Sequence, residues 1–332
     1  MNSLVETAAV LVAAGKGVLA ADESVATMSA RLEKAGVAPT EENRRDYREL
    51  LVSTPELAAG VSGVILCEET LRQRLADGRP FPAAVADFGM LTGIKVDTGA
   101  KPLPGNESET VTEGLDGLFP RLREYVALGA RFAKWRGVYV IDDQCPSRAA
   151  VHANAHALAR YASACQYAGL VPIVEPEVLM DGTHSLARCA EVTTRVLGAV
   201  AGELAAFGVD PAAMVLKPNM VVPGASCPEQ AAPGEIAEAT AAVLRQTMPD
   251  DLAGVAFLSG GQSPEQATAN LAALQEIDAP WPLTFSFGRA LVQPALAAWR
   301  GDPGRVHEGQ RALSQRVRAN SAVLGETAAV AP

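Results

Sequence analysis

Lysine is scarce in this chain, with six residues (16, 34, 95, 101, 134 and 217) against 22 arginines. Cysteine is also sparse: the five, at 67, 145, 165, 189 and 227, are odd in number, scattered and free of any CxxC pair. That pattern excludes a disulfide framework or a zinc ribbon and fits reduced, cytoplasmic thiols. No apolar run reaches the roughly eighteen residues of a membrane span. The opening "MNSLVETAAVLVAAGKG" has no basic start and is interrupted by Glu6, so a signal peptide is not expected. Positive charge is in deficit as well. A net charge of −10 argues against nucleic acid or an anionic membrane as the main partner. An anionic substrate would therefore have to be met by a local cluster of cations.

The chain does have apolar residues, 48% of its 332, and 29 glycines, enough for a large globular core. Short apolar runs recur at 17–22, 60–68, 89–97, 130–137, 169–177, 212–219, 254–261 and 283–290. Helix candidates lie between them at 41–54, 109–128, 148–167, 184–206, 233–247 and 263–275. Ser263 stands three before Gln266, and Thr40 three before Asn43, as N-caps would. Eight strand–helix alternations without a Pro/Gly/Ser linker predict an α/β protein, a single-domain (β/α)₈ barrel over 1–324 with a short tail at 325–332.

In such a barrel the active site lies at the C-terminal strand ends. Here those ends carry Asp22, Lys95, Lys134 with Arg136, Glu175 with Glu177, Lys217, Ser259 with Gly260, and Arg289. Three of the six lysines, Lys95, Lys134 and Lys217, fall inside these apolar runs. Arginine cannot be deprotonated in a protein, whereas a buried lysine can, so lysine at these places selects for amine chemistry. For one such lysine the plainer reading is a snorkelling side chain paired with a carboxylate. Three on one rim, among three carboxylates, favour chemistry. An ordinary lysine is neutral in only about one molecule in 2,500 at pH 7, and lowering its pKa by about three units makes roughly a quarter neutral. Desolvation and a second ammonium are the usual means. A neutral amine in a barrel mouth attacks carbonyls to form a Schiff base, and the iminium is an electron sink for breaking a neighbouring C–C bond.

A phosphate site can be read separately. "LSGGQS" (258–263) and "FSFGRA" (285–290) end the last two runs with glycines and Arg289. The loops after the seventh and eighth strands are the common phosphate site of these barrels.

The motifs "LAADES" (19–24), "EENRRDYRELL" (41–51), "GRPFP" (78–82), "GIKVD" (93–97), "FAKWR" (132–136), "VPIVEPE" (171–177), "LKPNMV" (216–221), "FLSGGQS" (257–263) and "FSFGRAL" (285–291) resemble, in order, class I fructose-bisphosphate aldolases. The resemblance runs from about residue 10 to about 321. It implies Lys217 as the Schiff-base nucleophile on the C2 carbonyl of a ketose. Glu175 would be the acid–base of carbinolamine dehydration, and Glu177 would exchange protons with and orient the lysines. Lys134 would assist C–C cleavage as a second ammonium, and Asp22 would take the C4 hydroxyl proton. Ser259, Gly260, Ser286, Gly288 and Arg289 would bind the C1 phosphate. Lys95, Arg136, Ser24 and Thr27 would meet the C6 phosphate, with Arg31 as a further anion-site residue. No metal or other cofactor is implied, the partner is a sugar phosphate, and a homo-oligomer, a tetramer by family analogy, is expected.

Two departures stand out. Vertebrate relatives end in a tyrosine that helps protonate the enamine, whereas the last of the five tyrosines here is Tyr167. Phe287 replaces the tyrosine that relatives often have in "SYGRA", and Thr27 replaces a serine while keeping the hydroxyl. The i, i+4 pair His152 and His156 lacks the other ligands of a metal site and reads as helix surface. "GKG" (15–17) lacks the spacing of a P-loop, and "EENRRDYRE" reads as a mixed-charge helix face. Two alternatives remain open from sequence: a Schiff-base enzyme or transaldolase-like exchange on another phosphorylated ketose, and a sugar-phosphate-binding protein without turnover.

Overall fold

Successive side chains of a β-strand point to opposite faces, and this period of two organises the molecule. The computed structural model describes residues 3–325. Its strands are β1 (Gly17–Ala21), β2 (Val61–Leu66), β3 (Leu91–Lys95), β4 (Gly99–Leu103), β5 (Asn106–Glu113), β6 (Phe132–Tyr139), β7 (Val171–Val178), β8 (Val215–Leu216), β9 (Gly254–Phe257) and β10 (Leu283–Phe287). Eight of them form a closed parallel barrel in the order β1-β2-β3-β6-β7-β8-β9-β10, and β4 and β5 make a separate hairpin. Each predicted run overlaps one barrel strand, β6 and β7 running one or two residues further. The tail predicted for 325–332 lies, beyond Gly325, outside the described residues.

Residues of one parity enter a small inner cluster: Val18 and Ala20, Ile65, Phe132, Val171 and Ile173, Val215, Ala256. Their neighbours of the other parity, such as Leu19, Val64, Ile94, Trp135, Val174, Leu216, Val255 and Phe285, join the larger layer between barrel and helices. Phe132 fills the barrel floor over Gly93, where an added Cβ would lie 2.1 Å from its ring. The helix Leu4–Leu11, opened by a capping box between Ser3 and Glu6, closes the floor with Ala8 and Leu11.

The prolines of β7 fit this scheme although proline is disfavoured in central strands. The N–H groups of Val171 and Leu179 donate to Arg131 and Tyr139 on the β6 side. Pro172 and Pro176 have the opposite parity and face β8, which pairs with β7 over only two residues. There Lys217 N–H donates to Val174 O at 2.8 Å before Pro218 ends the pairing.

The predicted helix at 109–128 is corrected. Residues up to Glu113 belong to the β4–β5 hairpin, and the helix is only Leu118–Ala127. The β-branched run Thr110–Val111–Thr112 prefers a pleated surface, and Pro104–Gly105, with Gly105 at φ +89°, makes the turn. Helices at Val25–Lys34, Phe81–Asp87, Arg289–Trp299 and Val306–Val323, with short turns at Leu57–Gly60 and Glu68–Arg72, add to the coat beyond those predicted. The predicted caps are present, Ser263 accepting from Gln266 N–H and Thr40 from Asn43 N–H.

The hairpin is held by a buried amide on the helix Arg148–Ala168. Asn154 Oδ1 accepts Thr112 N–H at 3.0 Å, and its Nδ2 donates to Thr110 O at 2.9 Å and Ala150 O at 3.2 Å. Asn154→Ala would leave these groups unpaired and is expected to cost about 1–3 kcal/mol. The check is a lower denaturation midpoint at unchanged m-value.

Candidate active site

The parity that builds the inner core also builds the site. Two residues beyond Ala20, Phe132, Ile173 and Val215 come Asp22, Lys134, Glu175 and Lys217, and the same step reaches Arg136 and Glu177. These side chains project into a cavity of about 430 Å³ at the C-terminal mouth. All fifteen residues singled out from the sequence line it.

Its centre is a chain of buried charges. Lys134 Nζ lies 2.8 Å from Asp22 Oδ2 and 3.1 Å from Glu175 Oε2, and Lys217 Nζ lies 3.2 Å from Glu175 Oε1. Lys134, Glu175 and Lys217 are only 4%, 4% and 3% exposed. The two contacts to Lys134 are close ion pairs without full hydrogen-bond alignment, so Asp22 Oδ2 and Glu175 Oε2 retain acceptor capacity. Burial alone would raise the Asp22 carboxyl, but the Lys134 and Lys217 ammoniums overrule it and hold it well below the carboxylate range. Glu175 follows the same balance: burial pushes up, and Lys134, Lys217 and Arg136 pull its pKa down. Burial pushes Lys134 down, but Asp22 and Glu175 prevail and keep it protonated. The resting centre thus holds two ionised carboxylates clamped on one permanent ammonium.

The cavity has cations at opposite ends. Lys95 and Arg136 come from β3 and β6, the third and fourth strands of the ring, while Ser259, Gly260, Gly288 and Arg289 follow β9 and β10, the seventh and eighth. At the β9–β10 end a Cβ at 260 would stand 2.7 Å from Leu258 Cδ1, so any larger residue there would displace that side chain. Gly288 opens the helix Arg289–Trp299, whose first N–H groups lack intrahelical partners. The Ser286 hydroxyl is buried at 1% exposure without a hydrogen-bond partner and lines the cavity. Arg289 has no carboxylate partner among the described residues. Near β1, Ser24 caps the helix Val25–Lys34 by accepting Thr27 N–H, and the Ser24 and Thr27 hydroxyls are 3.0 Å apart.

Most of the other cations are already paired. Lys95 Nζ is 3.5 Å from Asp97 Oδ1, Arg136 contacts Glu177, and Arg31 contacts Glu23. Six cationic side chains face five anionic ones around the cavity, so the local field is only slightly positive. Sequence reasoning missed two of those carboxylates. Asp97 stands two after Lys95 in the same strand parity, and Glu23 lies inside "LAADES", so both signals were present. Phe287, at the position noted for its missing hydroxyl, has outer parity and packs on Phe285 at 5.3 Å, away from the mouth.

No group of three or more His, Cys, Asp or Glu is placed to hold a metal among the described residues, and His156 instead meets Glu203 at 3.1 Å. No described helix is long and apolar enough to cross a membrane.

The family model of class I fructose-bisphosphate aldolase matches residues 3–329. A probable fructose-bisphosphate aldolase class 1 of Xanthomonas campestris pv. campestris is 50% identical over 329 residues, 98% of each chain. Fructose-bisphosphate aldolase B of Gallus gallus is 49% identical over 323 residues, 96% of this chain and 89% of that one. A solved structure of the Plasmodium falciparum fructose-bisphosphate aldolase, in complex with TRAP and a small-molecule inhibitor, matches with a TM-score of 0.95. It is 46% identical and covers 97% of this chain and 93% of its own. With its closed barrel and its lysine–carboxylate centre, the chain belongs to the class I fructose-bisphosphate aldolase family of lyases.

Proposed function

We propose that this chain reversibly cleaves fructose 1,6-bisphosphate to dihydroxyacetone phosphate and glyceraldehyde 3-phosphate through a Schiff base on Lys217. The observation that carries the assignment of residues is Glu175, set between two buried ammoniums at 3.1 and 3.2 Å. An ionised Glu175 accepts a proton from the Lys217 ammonium, and the free amine adds to the C2 carbonyl. Glu175, now protonated, gives its proton to the carbinolamine hydroxyl, which leaves as water and forms the iminium. Asp22, held as a carboxylate by Lys134, removes the C4 hydroxyl proton. The C3–C4 bonding electrons then move into the iminium, glyceraldehyde 3-phosphate leaves, and an enamine remains. Protonation at C3 and hydrolysis release dihydroxyacetone phosphate and restore Lys217. Lys134 stays charged throughout, countering negative charge that moves between Asp22 and Glu175, and Glu177, expected from the sequence to orient the lysines, pairs instead with Arg136.

The separation of Lys95 and Arg136 from Ser259, Gly260, Ser286, Gly288 and Arg289 across the ring supports a substrate with a phosphate at each end. We assign the C6 phosphate to the first group, with Ser24, Thr27 and Arg31, and the C1 phosphate to the second. The reading extends to a metal-free reaction, a cytoplasmic site that suits five free thiols, and self-association by family analogy. One catalytic barrel unit through residue 324, followed by a short tail, is part of the same proposal.

Borohydride added with substrate is expected to trap a covalent adduct on Lys217, found by peptide mass spectrometry, and EDTA to leave the rate unchanged. An adduct persisting in Lys217→Ala, or inactivation by EDTA, would sink the mechanism. Glu175→Gln should lower kcat by roughly 10²–10⁴-fold, the range for a lost acid–base group.

Lys134→Met tests the electrostatics. In the wild type both carboxyl pKa values are depressed, so the stability and ionisation they confer are present above the ordinary carboxylate range and lost only as pH falls through their lowered values. Without the ammonium each carboxyl loses the largest of the cations that oppose its burial, and the acid limb of kcat/KM should move upward. An unmoved limb would show that Lys134 does not set these ionisations. Arg289→Ala should raise KM roughly 10- to 100-fold, as for a lost charge-assisted contact, and a KM within twofold of wild type would remove Arg289 from the phosphate site.

A further inference from the structure

Two buried cations, Arg44 and Arg48, touch no part of the cavity, and Arg48 is the deeper. Arg48, on the helix Glu41–Val52, is 1% exposed, which is costly for an arginine unless its charge is met. Its Nη2 lies 2.7 Å from Glu23 Oε2 and donates to Glu23 O at 3.4 Å. Its Nη1 donates to Met28 Sδ at 3.1 Å. The same Glu23 takes Arg31 on its other oxygen. Arg31 is the more exposed guanidinium and lines the cavity, whereas Arg48 lies behind it. Glu23 also sits between Asp22 at the charged centre and Ser24, the cap of the helix that carries Arg31.

A carboxylate with two guanidiniums has one more than it needs. If Arg31 were its sole partner, transferring Arg31 to an arriving phosphate would strand a buried carboxylate, a loss that would offset the new contact. With Arg48 fixed behind it, Glu23 stays paired when Arg31 turns to the anion. The geometry points to Arg48 as a positioning residue that holds Glu23 and so frees Arg31 to bind a substrate phosphate. This inference rests on the proposed function and adds to it a residue outside the cavity.

Steady-state KM and kcat for fructose 1,6-bisphosphate are to be measured for Arg48→Met, Arg31→Ala and the double variant. Arg48→Met alone should raise KM roughly tenfold, with a smaller effect on kcat, because Arg31 remains on Glu23. On the Arg31→Ala background, where no cation is left to hand over, the same change should alter KM less than about twofold. Arg48→Lys, which keeps the charge, should recover most of the wild-type KM. An equal KM increase in both backgrounds, or a loss confined to kcat, would overturn the inference. Should Arg48→Met fail to fold, Arg48→Gln, with donors but no charge, gives the same comparison with the same decisive outcomes. Borohydride trapping of Lys217 in each folded variant separates the two claims. Intact trapping with additive KM effects rejects the role of Arg48 alone, whereas no trapping in the wild type rejects the underlying function.

Discussion

The strand alternation inside a closed ring is the constraint from which the site follows. One parity must be apolar at the floor, where Phe132 meets Gly93, and the same parity two steps on must face the mouth. Once Val215 is in the inner cluster, Lys217 has no other direction to take, and the same holds for Glu175 beyond Ile173 and Lys134 beyond Phe132. The outer parity is free to anchor each strand to the helical coat through residues such as Trp135 and Leu216, both fully buried. The reacting groups therefore sit on the strands or on the residue directly after them, and phosphate donors come from strands, as Lys95 and Arg136 do, and from the segments after β9 and β10.

Buried charge is tolerated there because the signs alternate around the ring. Lys134 meets two carboxylates, and Glu175 meets two ammoniums. Each group alone would pay a desolvation cost of several kcal/mol, and together they keep one another ionised. The arrangement makes poor sense as stabilisation, since apolar side chains of the same size would serve a core as well or better. It makes sense if protons must move there.

Much of this was legible in the sequence because polar residues interrupted apolar runs at a fixed parity. Lys217, Glu175, Lys134 and Asp22 could be placed on one rim from spacing alone. The hairpin was not legible: its mixed polar run at 106–113 has too little apolar alternation to separate strand from helix, although Pro104–Gly105 marked the turn. Nor were the partners Glu23 with Arg48 and Lys95 with Asp97, because pairing depends on which of several nearby charges a side chain reaches in space. "EENRRDYRELL" shows the difficulty. It reads as a mixed-charge surface helix, yet Arg48 and Tyr47 within it are buried, and the Tyr47 hydroxyl donates to Val292 O at 2.6 Å.

The modest local charge has a consequence for how an anion is accommodated. With an overall charge of −10 and a cavity almost balanced in its own ionised groups, attraction at a distance is weak. Where the cations are already paired, as Lys95 and Arg31 are, binding must then come from exchange of partners at contact, with cations leaving carboxylates for phosphate. Such exchange costs little only if each released carboxylate keeps another donor. Asp97 retains the N–H of Gly99 at 3.1 Å and of Arg136 at 3.4 Å when Lys95 departs, and Glu23 retains Arg48. Glu175 keeps Lys134 once the Lys217 amine is consumed in an iminium. For Glu23 the second partner also lies deeper than the first, Arg48 being buried behind the half-exposed Arg31. A carboxylate held from behind can thus present a cation in front, and this lets a nearly neutral cavity receive an anion there.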